Sequence, residues 1–196
     1  MKLPCDHFDF IARWYDRLIG RPADDPLPGL LEAAAGQWVL DIGGGTGRNV
    51  HGLHALGARV VICDLARGMV RQARRKGLPA VLGDVFSLPF AADCADRMLV
   101  VDAFHHFVRP SPEVAQRRAA RELLRVLRPG GRLVIEEPDI RQFGTKLIAW
   151  MERLLLMGSR FRPPQDLVAL FEAAGARTLR VEHRPFSAWI VFTKEL

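Results

Sequence analysis

Short apolar runs alternate with helical patterns along the middle of the chain, between residues 37 and 140. Five apolar runs predict buried strands at residues 38–43, 59–64, 79–84, 95–103 and 132–138. Helices are predicted between them at residues 46–56, 67–76 and 113–127. Strands that are apolar on both faces and alternate with helices predict a parallel sheet that is covered on both sides.

The two ends of the chain carry different patterns. Apolar positions at helical spacing predict a short amphipathic helix over residues 7–20, and a proline-rich loop follows it. Beyond the middle region, helices are predicted at residues 146–157 and 164–174. The last stretch predicts two strands around Arg184, Pro185 and Phe186, and this rapid reversal favours an antiparallel pair at a sheet edge.

Composition narrows the class of protein. The chain has 196 residues, of which 49% are hydrophobic and 26% charged, as in an ordinary globular domain. No apolar run reaches the roughly 18 residues needed to span a membrane. The three cysteines match no metal or redox motif, so we assign no metal site and expect a reducing, cytoplasmic location. The net charge of +6 would suit nucleic acid or an anionic membrane surface.

A glycine-rich loop, DIGGGTG, occupies residues 41–47 directly after the first predicted strand. Glycine has no Cβ, so a ligand can approach the backbone of such a loop. Arg48 stands where the dinucleotide-binding fingerprint has its final glycine, and no Gly-Lys-Ser/Thr sequence completes a Walker loop. An NAD-dependent enzyme is therefore the least favoured interpretation of the loop.

Four successive predicted strands end in aspartate, at Asp41, Asp64, Asp84 and Asp102. The carboxyl ends of parallel strands share one edge of the sheet, where open α/β folds bind ligands. Asp41 suits a ligand with a positive end, Asp64 a ribose diol, and Asp84 an exocyclic amine. Any one of these acids could instead cap a helix or a turn, but the four together favour S-adenosylmethionine.

These motifs resemble the class I S-adenosylmethionine-dependent methyltransferases, above all over residues 35–140. The resemblance is carried by the segments VLDIGGGTGRN, CDLARGMVRQAR, GDVFSLPF and LRVLRPGGRLVIEE. It implies a Rossmann-like, doubly wound α/β fold whose seven-stranded sheet is mostly parallel, with an antiparallel last strand and helices on both faces. It also implies S-adenosylmethionine as the cofactor and S-adenosylhomocysteine as the product.

The resemblance further implies a single methyltransferase domain over residues 1–196. Its expected parts are an N-terminal helix and loop cap (1–34), a cofactor-binding core (35–140), a helical lid or substrate region (141–175) and a C-terminal strand pair (176–196). The helix at residues 146–157 would either pack on the sheet or close over a lipophilic acceptor.

The cofactor-binding residues are likewise implied by the resemblance. Asp41, Gly43 and Gly45 would hold the methionine end of the cofactor, and Asp64 would hold the ribose hydroxyls. The other implied contacts are Leu65, Met69, Asp84 and Val85 around the adenine, Asp102 and Ala103 beside the departing methyl group, and Tyr15 over the cofactor.

Two segments, FDFIARWYD at residues 8–16 and RVLRPGGRL at residues 125–133, are similar to the ubiquinone/menaquinone-biosynthesis C-methyltransferases. The chain departs from that group after Asp16 and after the fourth strand, where it carries Asp-Ala-Phe-His-His. The Asn-Pro-Pro-Tyr type of motif, which directs a methyl group to a nucleobase nitrogen, is absent. The resemblance implies in-line methyl transfer to a small-molecule acceptor, with a lipophilic or quinone-like compound as one candidate. The alternatives are an RNA methyltransferase and a catalytically silent S-adenosylmethionine-binding protein.

The candidate catalytic residues are His106, His105 and Glu137. The histidines follow the fourth predicted strand, and the ordinary histidine pKa of about 6.5 permits proton acceptance near neutral pH. Glu137 ends the fifth predicted strand and is the alternative base. Each could instead be structural, and we prefer His106.

The arginines are concentrated on helix faces. Four share one face of the second middle helix and four share one face of the third, namely Arg67, Arg71, Arg74, Arg75 and Arg117, Arg121, Arg125, Arg128. In the implied fold these helices cover opposite faces of the sheet, so their arginines cannot form one groove. We therefore expect a small-molecule partner rather than nucleic acid, and we leave the oligomeric state open.

Overall fold

The computed structural model describes residues 7–19, 26–141 and 159–195, and these contain one seven-stranded sheet. The strands are β1 (Trp38–Ile42), β2 (Arg59–Asp64), β3 (Ala80–Leu82), β4 (Ala95–Val101), β5 (Leu127–Pro138), β6 (Ala176–Arg184) and β7 (Ser187–Lys194). The helices are α1 (His7–Ile11), α2 (Tyr15–Ile19), α3 (Leu27–Leu31), α4 (His51–Ala55), α5 (Arg67–Arg75), α6 (Pro112–Val126) and α7 (Pro164–Glu172). A short 3₁₀-helix, Phe104–His106, follows β4.

The strands lie in the order β3-β2-β1-β4-β5-β7-β6. Neighbours from β3 to β5 are parallel, and β7 runs antiparallel to both β5 and β6. The predicted mostly parallel sheet with an antiparallel last strand is confirmed. Chain order reverses between β1 and β4, which makes the carboxyl ends of these two strands the switch point where such sheets bind ligands.

Alternate residues of each central strand contribute to two separate hydrophobic clusters, one on each face of the sheet. Val39 of β1 lies in one cluster with residues of α3, α4 and α5, while Leu40 lies in the other with residues of α6 and α7. Helices α5 and α6 therefore cover opposite faces, as the sequence predicts, and their arginine faces are exposed except for the partly buried Arg125.

Several element boundaries differ from the predicted ones. The helix predicted from Thr46 begins only at His51, because Gly43, Gly45 and Gly47 take positive φ angles of 71°, 57° and 77° that no helix accommodates. The strand predicted to end at Asp84 ends at Leu82, since the Asp84 carboxylate accepts the Phe86 amide and forms a turn.

The predicted N-terminal helix over residues 7–20 is interrupted and gives α1 and α2, with a turn at residues 12–14. The helix predicted at residues 146–157 lies outside the described residues. Among the described helices, none has the length and apolar character needed to cross a membrane.

Candidate active site

A cavity of about 270 Å³ lies at the carboxyl ends of the central strands, at the switch point between β1 and β4. Its wall is built from the glycine loop after β1, the residues after β2, β3 and β4, and two aromatic side chains of α1 and α2. The residues that line it include Phe8, Tyr15, Gly43, Gly45, Arg48, Asp64, Leu65, Met69, Asp84, Val85, Asp102, Ala103, His106 and Phe107.

The glycine loop packs so closely that side chains are excluded from it. A Cβ on Gly43, whose φ is 71°, would lie 2.7 Å from the Cβ of Ala103. A Cβ on Gly44 would lie 2.3 Å from Cγ of Asp41. The loop therefore presents bare backbone to the cavity and covers the Asp41 carboxylate from above.

Asp41 lies fully buried on β1 beneath this loop, outside the cavity wall. Neither carboxylate oxygen finds a hydrogen-bond partner among the residues that the structure describes. Burial, together with the nearby charge of Asp64, raises the pKa of Asp41 to about 7, against the opposing charge of Arg48. An unpartnered buried carboxylate is costly, so its presence indicates a ligand group that it serves.

The raised pKa of Asp41 predicts how the free energy of unfolding depends on pH. Between about pH 4 and pH 7 the folded chain keeps a proton on Asp41 that the unfolded chain has lost, so the free energy of unfolding falls as pH rises through this range. Asp41→Asn carries no charge at any pH. We expect it to match the wild type at pH 4 and to exceed its unfolding free energy by about 4 kcal/mol at pH 8. Urea denaturation at several pH values measures this difference, and parallel pH dependence of the two proteins would contradict it.

Two other predicted acids are held at the cavity wall by backbone amides. Oδ2 of Asp64 accepts the Gly45 amide at 2.9 Å, and Oδ1 accepts the Ala66 amide at 2.8 Å. Oδ1 of Asp84 accepts the Phe86 amide at 2.9 Å. These bonds fix the orientation of both carboxylates, and each carboxylate has about four lone-pair positions with which to accept further hydrogen bonds.

Asp102 follows β4 with φ of 53°, a left-handed conformation that is uncommon outside glycine. Its Oδ2 lies 3.9 Å from Nη2 of Arg48. The Arg48 guanidinium in turn lies over the ring of Tyr15, 5.9 Å from its centroid. The turn after β4 thus brings an acid, a cation and an aromatic ring together at one part of the wall.

The N-terminal helices are attached to the body by two carboxylates. Oδ1 of Asp9 accepts the Gly68 amide at 2.5 Å. The Asp16 carboxylate accepts a hydrogen bond from the Thr46 hydroxyl through one oxygen and forms an ion pair with Lys76 through the other. These contacts place Phe8 and Tyr15 on the cavity wall.

His105 and Glu137 form a buried pair. Glu137 accepts the amides of Phe104 at 2.7 Å and of His105 at 3.2 Å, and its Oε2 lies 2.8 Å from Nδ1 of His105. Both side chains are nearly inaccessible and neither lines the cavity. The pair fixes the 3₁₀-helix after β4 to the end of β5.

His106, the next residue, does line the cavity. Its Nδ1 lies 3.1 Å from the Ser159 hydroxyl, and its ring meets that of Phe8 edge-on with centroids 5.2 Å apart. Burial, with a smaller contribution from the charge of His105, lowers the pKa of His106 to about 3. The ring is therefore neutral at physiological pH.

Residues 40–135 match a family model described as a methyltransferase domain. A demethylmenaquinone methyltransferase of Corynebacterium efficiens is 34% identical over 131 residues, which are 64% of this chain and 53% of that protein. The corresponding protein of Thermobifida fusca is 38% identical over 144 residues, which are 66% of this chain and 58% of that protein. These matches show that residues 40–135 form a methyltransferase domain, as the resemblance to the class I S-adenosylmethionine-dependent methyltransferases implies. The chain spans about half the length of these curated relatives.

Solved structures of low sequence identity share the fold of this chain. A chain in the complex of a Haloferax volcanii methyltransferase with the Trm112 methyltransferase activator has a TM-score of 0.81 at 18% identity, over 97% of this chain and 99% of that one. An S-adenosylmethionine-dependent methyltransferase of Thermotoga maritima has a TM-score of 0.76 at 23% identity, over 96% and 98%. The cyclase SpnF has a TM-score of 0.75 at 17% identity, over 96% and 94%, so this fold also occurs in a protein named for another reaction.

Most site residues expected from the family resemblance meet at the cavity. The wall includes Tyr15, Gly43, Gly45, Asp64, Leu65, Met69, Asp84, Val85, Asp102, Ala103 and His106. It does not include Asp41, His105 or Glu137. Phe8, Arg48 and Phe107 also line the cavity, although they were not predicted as site residues from the sequence. Phe8 stands seven positions before Tyr15, so helical spacing would have placed both on one face of the predicted N-terminal helix. Phe107 directly follows the two candidate histidines, so its position in the sequence could have indicated it.

Proposed function

We propose that the chain binds S-adenosylmethionine in this cavity and transfers its methyl group to a small, lipophilic, quinone-like acceptor. The observation that carries the proposal is the unpartnered, buried carboxylate of Asp41 beneath a loop that only glycine can form. Asp41 lies beneath the cavity wall and not in it, so it would act through its charge: once ionised, it favours the cationic methionine end of a cofactor bound on the other side of the loop. The residues of the wall fit the rest of the molecule.

Each part of the wall offers a matching chemistry. Asp64 provides carboxylate oxygens for a ribose diol, and Asp84 provides them for an exocyclic amine. Leu65 is 42% exposed although it is apolar, and Met69 is buried beside it at the wall, so the two would pack on the faces of an adenine ring. Tyr15 would cover the ligand from α2.

The cofactor supplies an electrophilic methyl group on a cationic sulfur. The chain itself has to orient the acceptor and exclude water, because alignment of the reactants accounts for much of the barrier reduction in such transfers. Phe8 and Tyr15, held over the cavity by Asp9 and Asp16, provide the cover.

The acceptor class is supported by the remaining part of the wall. Phe8, Phe86 and Phe107 bring aromatic surface to the cavity, and the Phe86 and Phe107 rings meet edge-on with centroids 6.5 Å apart. Aromatic walls suit a flat, apolar ring system. The relatives from Corynebacterium efficiens and Thermobifida fusca carry the name demethylmenaquinone methyltransferase, which agrees with a quinone-like acceptor.

The test is an assay with S-adenosylmethionine that carries an isotopically labelled methyl group. The purified chain is incubated with a cell extract, and the products are separated into lipid, small polar and RNA fractions. We expect the label in the lipid fraction. Label in RNA would favour an RNA methyltransferase, and binding of the cofactor without any transfer would favour a silent binding protein; either result would overturn the proposed acceptor.

His106 is our candidate base, with His105 and Glu137 as positioning residues that hold its 3₁₀-helix. The ring is neutral at pH 7 and has a lone pair, but a pKa of about 3 makes it a weak base, so the proposal rests on its place at the cavity wall and not on its basicity. We expect His106→Gln to lower kcat about 10- to 100-fold with little change in KM. The control is His54→Gln, which changes an exposed histidine of α4. Equal kcat values for the His106 variant and the wild type would show that no proton passes to this ring in the rate-limiting step.

A further inference from the structure

Arg48 is a cation of the cavity wall whose ion-pair contact among the described residues is long. Its side chain is only 16% exposed, and the carboxylate nearest to it among the described residues, that of Asp102, is 3.9 Å away. Within the described part of the chain it donates no hydrogen bond, although a guanidinium has five N–H donors. Donors that are largely buried are normally satisfied, so this guanidinium is arranged for an acceptor that a ligand brings.

The position of Arg48 shows which part of a ligand it would meet. It directly follows the glycine loop, and its charge lowers the pKa values of Asp41 and of Glu136 against the raising effect of burial. The guanidinium carbon lies 5.9 Å from the centroid of the Tyr15 ring, at the outer limit of a cation–π contact. Arg109 also lines the cavity, but it is exposed and follows the 3₁₀-helix rather than the glycine loop.

The methionine end of S-adenosylmethionine carries a carboxylate as well as an ammonium group. The acids around the loop suit the ammonium and the sulfonium, but they would repel the carboxylate. A guanidinium beside them can bind a carboxylate through two parallel hydrogen bonds. Arg48 at the cavity wall and Asp41 behind the loop thus place opposite charges near the two charged groups of an amino acid.

We propose that Arg48 binds the α-carboxylate of S-adenosylmethionine and so distinguishes the intact cofactor from analogues that lack this group. The inference rests on the proposed function, because it assumes that the cavity takes this cofactor. Arg48, which stands where the dinucleotide-binding fingerprint has its final glycine, would then have a binding role of its own.

The experiment compares two ligands by calorimetric titration of the full chain without acceptor. One is S-adenosylmethionine, and the other is its decarboxylated analogue, which keeps the adenosine, the sulfonium and the amine. We expect Arg48→Met to weaken S-adenosylmethionine binding by about 10- to 100-fold and to change binding of the analogue less than about threefold. Arg48→Lys keeps the charge but not the two-pronged geometry, so it should restore part of the affinity.

The control variant is Arg71→Met, which removes an exposed arginine of α5 and should leave both affinities unchanged. Equal weakening of the two ligands by Arg48→Met would assign the residue a structural role in the loop and overturn the proposal. Unchanged affinity for S-adenosylmethionine would overturn it as well. If the wild type binds neither ligand, the proposed function itself fails, which is a separable result.

Discussion

Asp64→Ala is expected to lower the affinity for S-adenosylmethionine by at least about 100-fold. The Asp64 carboxylate has two tasks, because it accepts the amides of Gly45 and Ala66 and also faces the cavity. The substitution therefore removes the proposed partner of the ribose and leaves the glycine loop without the bond that holds Gly45. Calorimetric titration gives the affinity, and far-ultraviolet circular dichroism checks that the variant is folded.

The control is Asp166→Ala, which removes an equal charge from an exposed position in the first turn of α7. We expect this variant to bind S-adenosylmethionine as the wild type does. A folded Asp64→Ala protein with wild-type affinity would show that the cavity does not hold the ribose at this carboxylate.

Glu137→Ala is expected to lower the free energy of unfolding by about 3 to 5 kcal/mol, the loss typical of a broken buried pair. The glutamate satisfies the amides of Phe104 and His105 and the Nδ1 of His105, all of them buried. Truncation leaves these groups without an acceptor inside the protein. Urea denaturation measures the loss, and Glu137→Gln should lose less because it keeps one acceptor oxygen.

Glu182→Ala provides the comparison, since Glu182 pairs with the exposed arginines Arg180 and Arg184 at the sheet edge. Such pairs contribute about 1 kcal/mol or less. If the Glu137 and Glu182 variants lose the same small amount, the buried pair does not stabilise the 3₁₀-helix, and the positioning role assigned to it is wrong.

The succession of strands and helices along the chain and the two-faced core could be predicted from the sequence, because both depend on simple periodicity. The runs around Val39 and Val60 have three and four successive apolar residues, at positions 38–40 and 60–63, which is typical of strands covered on both sides. The direction of β7 could be predicted from the short reversal at Arg184 to Phe186. Boundaries were less predictable, since the late start of α4 depends on three positive φ angles that the letters GGGTG do not specify.

The site was predictable where strand ends and the family resemblance determine it, and less so where tertiary packing decides. Asp64 and Asp84 reach the cavity as expected, because the carboxyl ends of parallel strands meet at one edge. Asp41 also lies at that edge, but its side chain points beneath Gly44, and only the packing of the loop reveals this. The sequence favoured His106 over His105 without a geometric reason; the structure supplies it, because adjacent residues of a short helix point in different directions and only His106 lines the cavity.

Hydrogen exchange with and without S-adenosylhomocysteine tests the central claim, that the glycine-loop cavity is the cofactor site, most directly. We expect slower amide exchange in residues 43–48, 64–69 and 84–86 when the ligand is bound, because residues of these segments form the cavity wall. Protection confined to the groove between α6 and α7, or no protection at a saturating ligand concentration, would contradict it.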